Sequence, residues 1–368
     1  MAPARCDARP LADYLRLRYS PAIERLAALL IVPTSLFWAA AQIRAFGIVL
    51  HSIGSVDLAT GIALAAWISI VYTMLGGVLA DIVTDVVQGV IIVIGLVWLF
   101  ASVAATHGGL GAALATIDTS RIRLTGGEQP SWFEVAEAWA IPLFGAVLAP
   151  ELLSRGLAAR SAATARWSML GGGAMYLTIG LMPVVLGLLG PRLLPALQDP
   201  DQLLPELAKS HLSQVGAVVL VGALVSAILS TIDSAMLVAG SLLSRNVLLA
   251  GRDVGDRVRL RTVRACVLTL GVVAWLLATT ADSVFGLIEE SSGFGSAGIF
   301  VCVSFGLFSR LGGPRAAAAA MIAGAAVWAL KYVPTVHDRL PWLAEHPFLC
   351  ALAAALAAFL VAAHRRAR

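Results

Sequence analysis

Charge is what this sequence has least of. Only 13% of its 368 residues are Asp, Glu, Lys or Arg, while 59% are hydrophobic. With a mean hydropathy of +0.87, that balance excludes a soluble globular domain. A soluble chain of this length would bury one or two cores, and the apolar surface here exceeds what any interior could hide. Cysteine is sparse too. Cys6, Cys266, Cys302 and Cys350 show no metal-ligand spacing and three fall in apolar segments, so free thiols are expected and a disulfide frame is not. The histidines (His51, His107, His211, His337, His346, His364) are dispersed without a Glu or Cys at ligand spacing, which removes zinc-type catalysis. No Gly-rich phosphate loop ends in Lys, so neither an ATP-driven pump nor an organic cofactor is expected, and nothing points to an enzyme. Basic runs interleaved with aromatics are missing, so the net charge of +4 does not indicate nucleic acid. Met1–Arg18 is polar and basic with no apolar h-region, unlike a cleaved signal peptide.

What is present is a succession of long apolar runs. A bilayer is crossed by about 20 apolar residues, and hydropathy marks ten spans, at roughly 23–50, 57–78, 82–105, 132–150, 164–190, 213–244, 263–281, 284–308, 313–331 and 347–364. The weakest are 132–150, which contains Glu134, Glu137 and Pro142, and 284–308, which contains Glu289 and Glu290. Connections 106–131 and 191–212 are rich in Gly, Pro and Asp and read as exposed loops. The expectation is an all-α polytopic membrane helix bundle, with residues 1–368 as one transmembrane domain and 1–22 as a cytoplasmic lead-in. With both termini cytoplasmic, 19 of the 26 Lys and Arg fall on the inner side and six outside, with Arg44 inside a span. The positive-inside rule favours that orientation in the cell membrane, with the lipid bilayer as solvent.

Polar residues within those spans carry the functional signal. Ser230-Thr231-Ile232-Asp233-Ser234 places four polar residues at the end of the uncharged run Val215–Ile232. At such depth they must face protein, water or an ion. Adjacent hydroxyls are hard oxygen ligands suited to a small hard cation; the alternative is that they bond back to the i−4 carbonyl or serve close packing. Asp85 opens its span and shares a helix face with Gln88, and by itself reads as a solvated helix-start carboxylate stabilised by the helix dipole. Gln42 and Arg44 lie well inside the first span, where Arg44 is too deep to snorkel and should meet a carboxylate or carbonyl; a structural ion pair is the plainer reading. Glu289 and Glu290 are adjacent and point in different directions on a helix. Their candidate partners are Arg44, a cationic or hydroxyl-rich solute, or water at the outer mouth. Gly293, Gly295 and Gly298, just after them, permit a break or close helix contact.

Several stretches, taken in order, resemble the sodium:solute symporter family, which includes sodium/proline, sodium/sugar and sodium/pantothenate carriers. They are Leu11–Tyr19, Ala40–Ala45, Val71–Gly77, Thr84–Gly89, Ser154–Arg160 and Leu229–Ser234. The resemblance implies the leucine-transporter-like fold of five-plus-five inverted repeats, with sodium and solute near the midplane beside broken helices. It implies that Ser230 and Thr231 coordinate sodium with the Ala227 carbonyl. Asp85 would lie on the sodium exit route. Asp233 and Ser234 would stand behind the ion, or Asp233 would pair with a basic group at the cytoplasmic mouth. The span 132–150, interrupted by Pro142 and Pro150, corresponds to the broken helix opening the second repeat, with Trp139 and Phe144 as solute contacts. Glu289 and Glu290 fall where relatives place pocket or gate residues, commonly aromatic. Family members begin with further helices before the Tyr14-Leu15-Arg16 region, so the first repeat reads as incomplete and the chain as a truncated form. The function implied is symport of a small organic solute with co-transported sodium. The alternative is a non-transporting sensor or regulatory module of the same fold.

Overall fold

A computed structural model of the protein describes residues 11–54, 56–75, 78–122, 131–147, 149 and 159–364. Gly76, Gly77, Pro150 and most of the Ser154–Arg160 motif lie outside the described residues, as do Cys6, Arg5, Arg9, Arg123, Arg365, Arg366 and Arg368. Helix is the only regular structure among the residues described.

A short helix, α1 (Leu11–Arg18), leads into α2 (Pro21–Ile53), α3 (Leu58–Leu75) and α4 (Val78–Thr106). The stretch read as an exposed loop at 106–131 holds two short helices, α5 (Leu110–Ala115) and α6 (Thr119–Ile122). Then follow α7 (Trp132–Val147), α8 (Ala162–Leu193), the short α9 (Leu203–His211) in the second supposed loop, and α10 (Gln214–Leu242). The last turn of α10 widens into a π-turn, Leu243–Leu248, in which Leu249 N donates to Ser244 O at 2.8 Å. Next come α11 (Asp256–Thr280), α12 (Val284–Gly293), α13 (Ser296–Phe308), α14 (Pro314–Ala329), the short α15 (Pro334–Arg339) and α16 (Pro341–Glu345), and α17 (Pro347–His364).

Among the described residues, seven helical stretches are long and apolar enough to cross a membrane, with α12 and α13 counted as one, and α3 is a shorter apolar helix. Each of the ten expected runs falls on helix, with shifted ends, but α7 and α14, 16 residues each as described, are not among the stretches long and apolar enough to cross. α11 begins at Asp256 rather than 263, because Arg257, Arg259, Arg261 and Arg264 extend the helix beyond its apolar part and hydropathy cannot register them. The span 284–308 is two helices, since Gly295 takes φ +69°, a left-handed conformation that glycine adopts without steric cost.

α2 is the centre. Pro21 sits in its first turn, and Ser20 caps it by accepting from Ile23 N at 3.4 Å. It is apolar on all sides, and 56% of its most hydrophobic window is buried. That all-round burial follows from contacts with α3, α10, α11 and α12. A Cβ at Gly61 would stand 2.7 Å from the Gly47 carbonyl oxygen, so the α2–α3 crossing requires glycine on both helices. The periphery is the reverse. Only 11% of the corresponding window of α8 is buried, and Trp167, Tyr176, Leu177 and Leu181 point outward. An apolar helix exposed on most sides is one whose solvent is lipid.

Contacts respect the two ends of the bundle inferred from charge. At one end Arg18 donates to the Ser309 carbonyl (3.2 Å), Arg245 pairs with Asp13 (3.8 Å) and Asn246 donates to Glu24 (2.6 Å). At the other, Lys209 donates to the Ser52 carbonyl, Val284 N to Asp201 (3.0 Å), and Lys331 pairs with Glu290.

Candidate functional site

α10 and α4 run antiparallel, with Asp85 opposite Ser230, Gly95 opposite Leu220 and Trp98 opposite Gly216. This register sets Asp85, near the start of α4, against the polar cluster at the middle of α10. Ser230 is buried and donates its hydroxyl to Asp85 Oδ1. One residue further round the helix, Thr231 Oγ1 donates to the Ala227 carbonyl at 2.8 Å. Asp233 follows, 2% exposed, with half-buried Ser234 beside it. Gln88, one turn beyond Asp85, carries a buried Oε1 with no hydrogen-bond partner among the described residues. The structure therefore pairs Ser230 with Asp85 and Thr231 with the Ala227 carbonyl, with Asp233 and Ser234 on the next turn. This is a patch of oxygen atoms inside an apolar bundle, on adjacent faces of one helix, with carboxylate charge to balance a cation. The Thr231 contact is also the i−4 back-bond that a hydroxyl in any membrane helix makes, so it belongs equally to both readings.

The residues expected to contact solute do not join that patch. Arg44 is buried and caps the end of α11, donating to the carbonyls of Ala278 (3.1 Å) and Asp282 (3.0 Å). Glu290 meets Lys331 instead of Arg44, and also accepts from Trp328 Nε1 at 3.3 Å. Glu289, next to it, is half-buried, as is Gln42 on α2. Phe144 stands edge-on to Phe300 at 4.5 Å and stacks on Phe348 at 6.2 Å, within an aromatic cluster. Trp139, on the same helix, is 55% exposed.

Two buried carboxylates escaped the sequence reading. Glu137 on α7 accepts from the backbone N–H groups of Phe348 (2.6 Å) and Leu349 (2.8 Å), the free donors at the start of α17. Glu24 is held by Asn246 and Arg16, the latter at 3.5 Å. A carboxylate inside an apolar span was the available signal for Glu137, since such a group must find donors.

The sodium:solute symporter family model matches residues 4–324. Among curated relatives, the high-affinity choline transporter 1 of Drosophila melanogaster is 26% identical over 283 residues, covering 72% of this chain and 45% of that protein. The high-affinity proline transporter PutP of Bacillus subtilis is 29% identical over 310 residues, covering 80% of this chain and 64% of that protein. The chain thus spans between about half and two thirds of the length of these relatives. A Na+-coupled sialic acid symporter, solved in a substrate-bound outward-open state, superposes with a TM-score of 0.78 at 16% identity, covering 97% of this chain and 77% of the other. That likeness establishes the leucine-transporter-like helical fold. On the family match, and on a fold that agrees with it, this multi-pass membrane chain belongs to the sodium:solute symporter family.

Proposed function

We propose that the protein carries a small organic solute across the cell membrane in symport with sodium, and that Ser230, Thr231 and the Ala227 carbonyl supply oxygen ligands to the ion. The supporting observation is the placement of these oxygens at the middle of α10 with the Asp85 carboxylate at the Ser230 hydroxyl. Two hydroxyls and a carbonyl suit sodium, a hard cation, and a neighbouring carboxylate offsets its charge. Asp85, with Asp233 and Ser234, then marks the ion's path between the site and the cytoplasmic ends of α4 and α10.

The solute side rests on Gln42, Arg44, Trp139, Phe144, Glu289 and Glu290, carried by α2, α7 and α12, of which α12 packs against both α2 and α7. Both described ends of the chain belong in the cytoplasm on this reading. An impermeant thiol reagent applied outside intact cells should then label Asp338→Cys and spare Asp253→Cys.

The deciding experiment is the double substitution Ser230→Ala with Thr231→Ala in liposome-reconstituted protein. The sodium concentration for half-maximal uptake should rise about tenfold or more, equivalent to about 1.4 kcal/mol. Unchanged sodium dependence in a folded double variant, or uptake driven by protons alone, would reject the assignment.

A further inference from the structure

Lys331 is one of two lysines in the chain, and its surroundings are those of a bound cation. Its ammonium lies 3.8 Å from the centroid of the Trp328 ring, 5.1 Å from that of Tyr332, and forms an ion pair with Glu290. The side chains of Lys331 and Glu290 are 16% and 19% exposed, so both charges are largely withdrawn from water, where ammonium–indole attraction is at its stronger end. The indole itself cannot turn away. Trp328 is fully buried, a Cβ at Gly293 would collide with its ring, Phe348 meets it edge-on at 6.2 Å, and its Nε1 is bound to Glu290. Lys331 is the mobile partner: it stands on the single 3-10 turn Leu330–Tyr332 at the end of α14 and reaches the indole on a flexible four-carbon stem.

We propose that Trp328, Tyr332 and Glu290 form a binding site for an organic ammonium group, kept filled by the chain's own Lys331 until an external cation displaces it. A rigid aromatic face, a second ring and a carboxylate together recognise alkylammonium chemistry. The site lies at the end of the bundle that the charge distribution places outside, apart from the oxygen patch on α10. It requires neither sodium binding nor transport.

The test uses the purified chain in lipid nanodiscs and tritiated tetramethylammonium, read by scintillation proximity. Lys331→Ser vacates the indole face and should bind the probe saturably, about tenfold more tightly than the unsubstituted chain. Lys331→Met removes the charge but keeps the face covered, and should gain no binding. Lys331→Ser combined with Glu290→Gln should lose what the single substitution gained. Absence of a gain in Lys331→Ser, an equal gain in Lys331→Met, or retention in the double variant would each overturn the proposal. Should Lys331→Ser fail to fold unaided, tetramethylammonium should restore monodisperse protein, and no recovery would equally overturn it.

Discussion

Arg44 shows how a single side chain constrains its surroundings. A guanidinium in mid-span is costly unless its donors are met, and here they reach the Ala278 and Asp282 carbonyls where α11 ends. Arg44→Met should therefore destabilise the protein by about 1–3 kcal/mol, since the buried Ala278 carbonyl is left unmet. Arg44→Lys should recover only part of this, lacking the planar fork that spans two acceptors. Thermal unfolding in detergent decides it, and a methionine variant as stable as its parent would show that the cap is dispensable. On the sodium-symport reading, Glu289→Gln or Glu290→Gln should change apparent solute affinity more than sodium affinity in uptake assays. At this scale the sequence showed that Arg44 and Glu290 need partners. It could not show which, because Ala278 and Lys331 are remote in the chain and are brought near only by helix packing.

Among elements, the crossing of α2 and α3 leaves no room for a side chain at either glycine. Gly61→Ala should push the helices apart and cost about 1–3 kcal/mol, as overpacking does elsewhere, readable as a fall in melting temperature. The start of α3 depends on Asp57, whose carboxylate accepts from Thr60 N at 3.0 Å. Hydrogen bonds from Thr60 hold the Asp57 carboxyl below its usual range. A depressed carboxylate stabilises the fold above its unfolded pKa and loses that contribution as pH falls through its folded pKa. Hydrogen exchange of the Thr60 amide, corrected for its intrinsic pH dependence, should thus lose protection only at acid pH, and Asp57→Ala should remove that dependence. Hydropathy located the seven long apolar helices because lipid requires long apolar runs. It missed the helical parts of both long connections, and it read α12 and α13 as one span, because a break at Gly295 leaves the apolar run intact. Helix starts built from charged residues, such as Asp256–Arg264, were invisible to it for the same reason.

For the molecule as a whole, the contrast between α2 and α8 separates a packed interior from a lipid-facing rim. One tie between distant parts of the chain is testable. Glu137 binds α7 to the start of α17, and Glu137→Gln should leave one of its two backbone donors unmet, at a cost of about 1.5–3 kcal/mol. The amides of Phe348 and Leu349 should then exchange faster, while those in the centre of α2 should not.

The π-turn at Leu243–Leu248 gives α10 a property its regular part lacks. A turn closed five residues back instead of four holds one residue more than an α-turn, so it is an insertion absorbed without rotating what lies on either side. Ser230 can face α4 while Asn246, on the same rod, faces Glu24 on α2. Removing Leu243 should therefore return a plain α-helix with both faces still aligned, whereas removing a residue from Leu237–Gly240 should swing Asn246 about 100° away from Glu24.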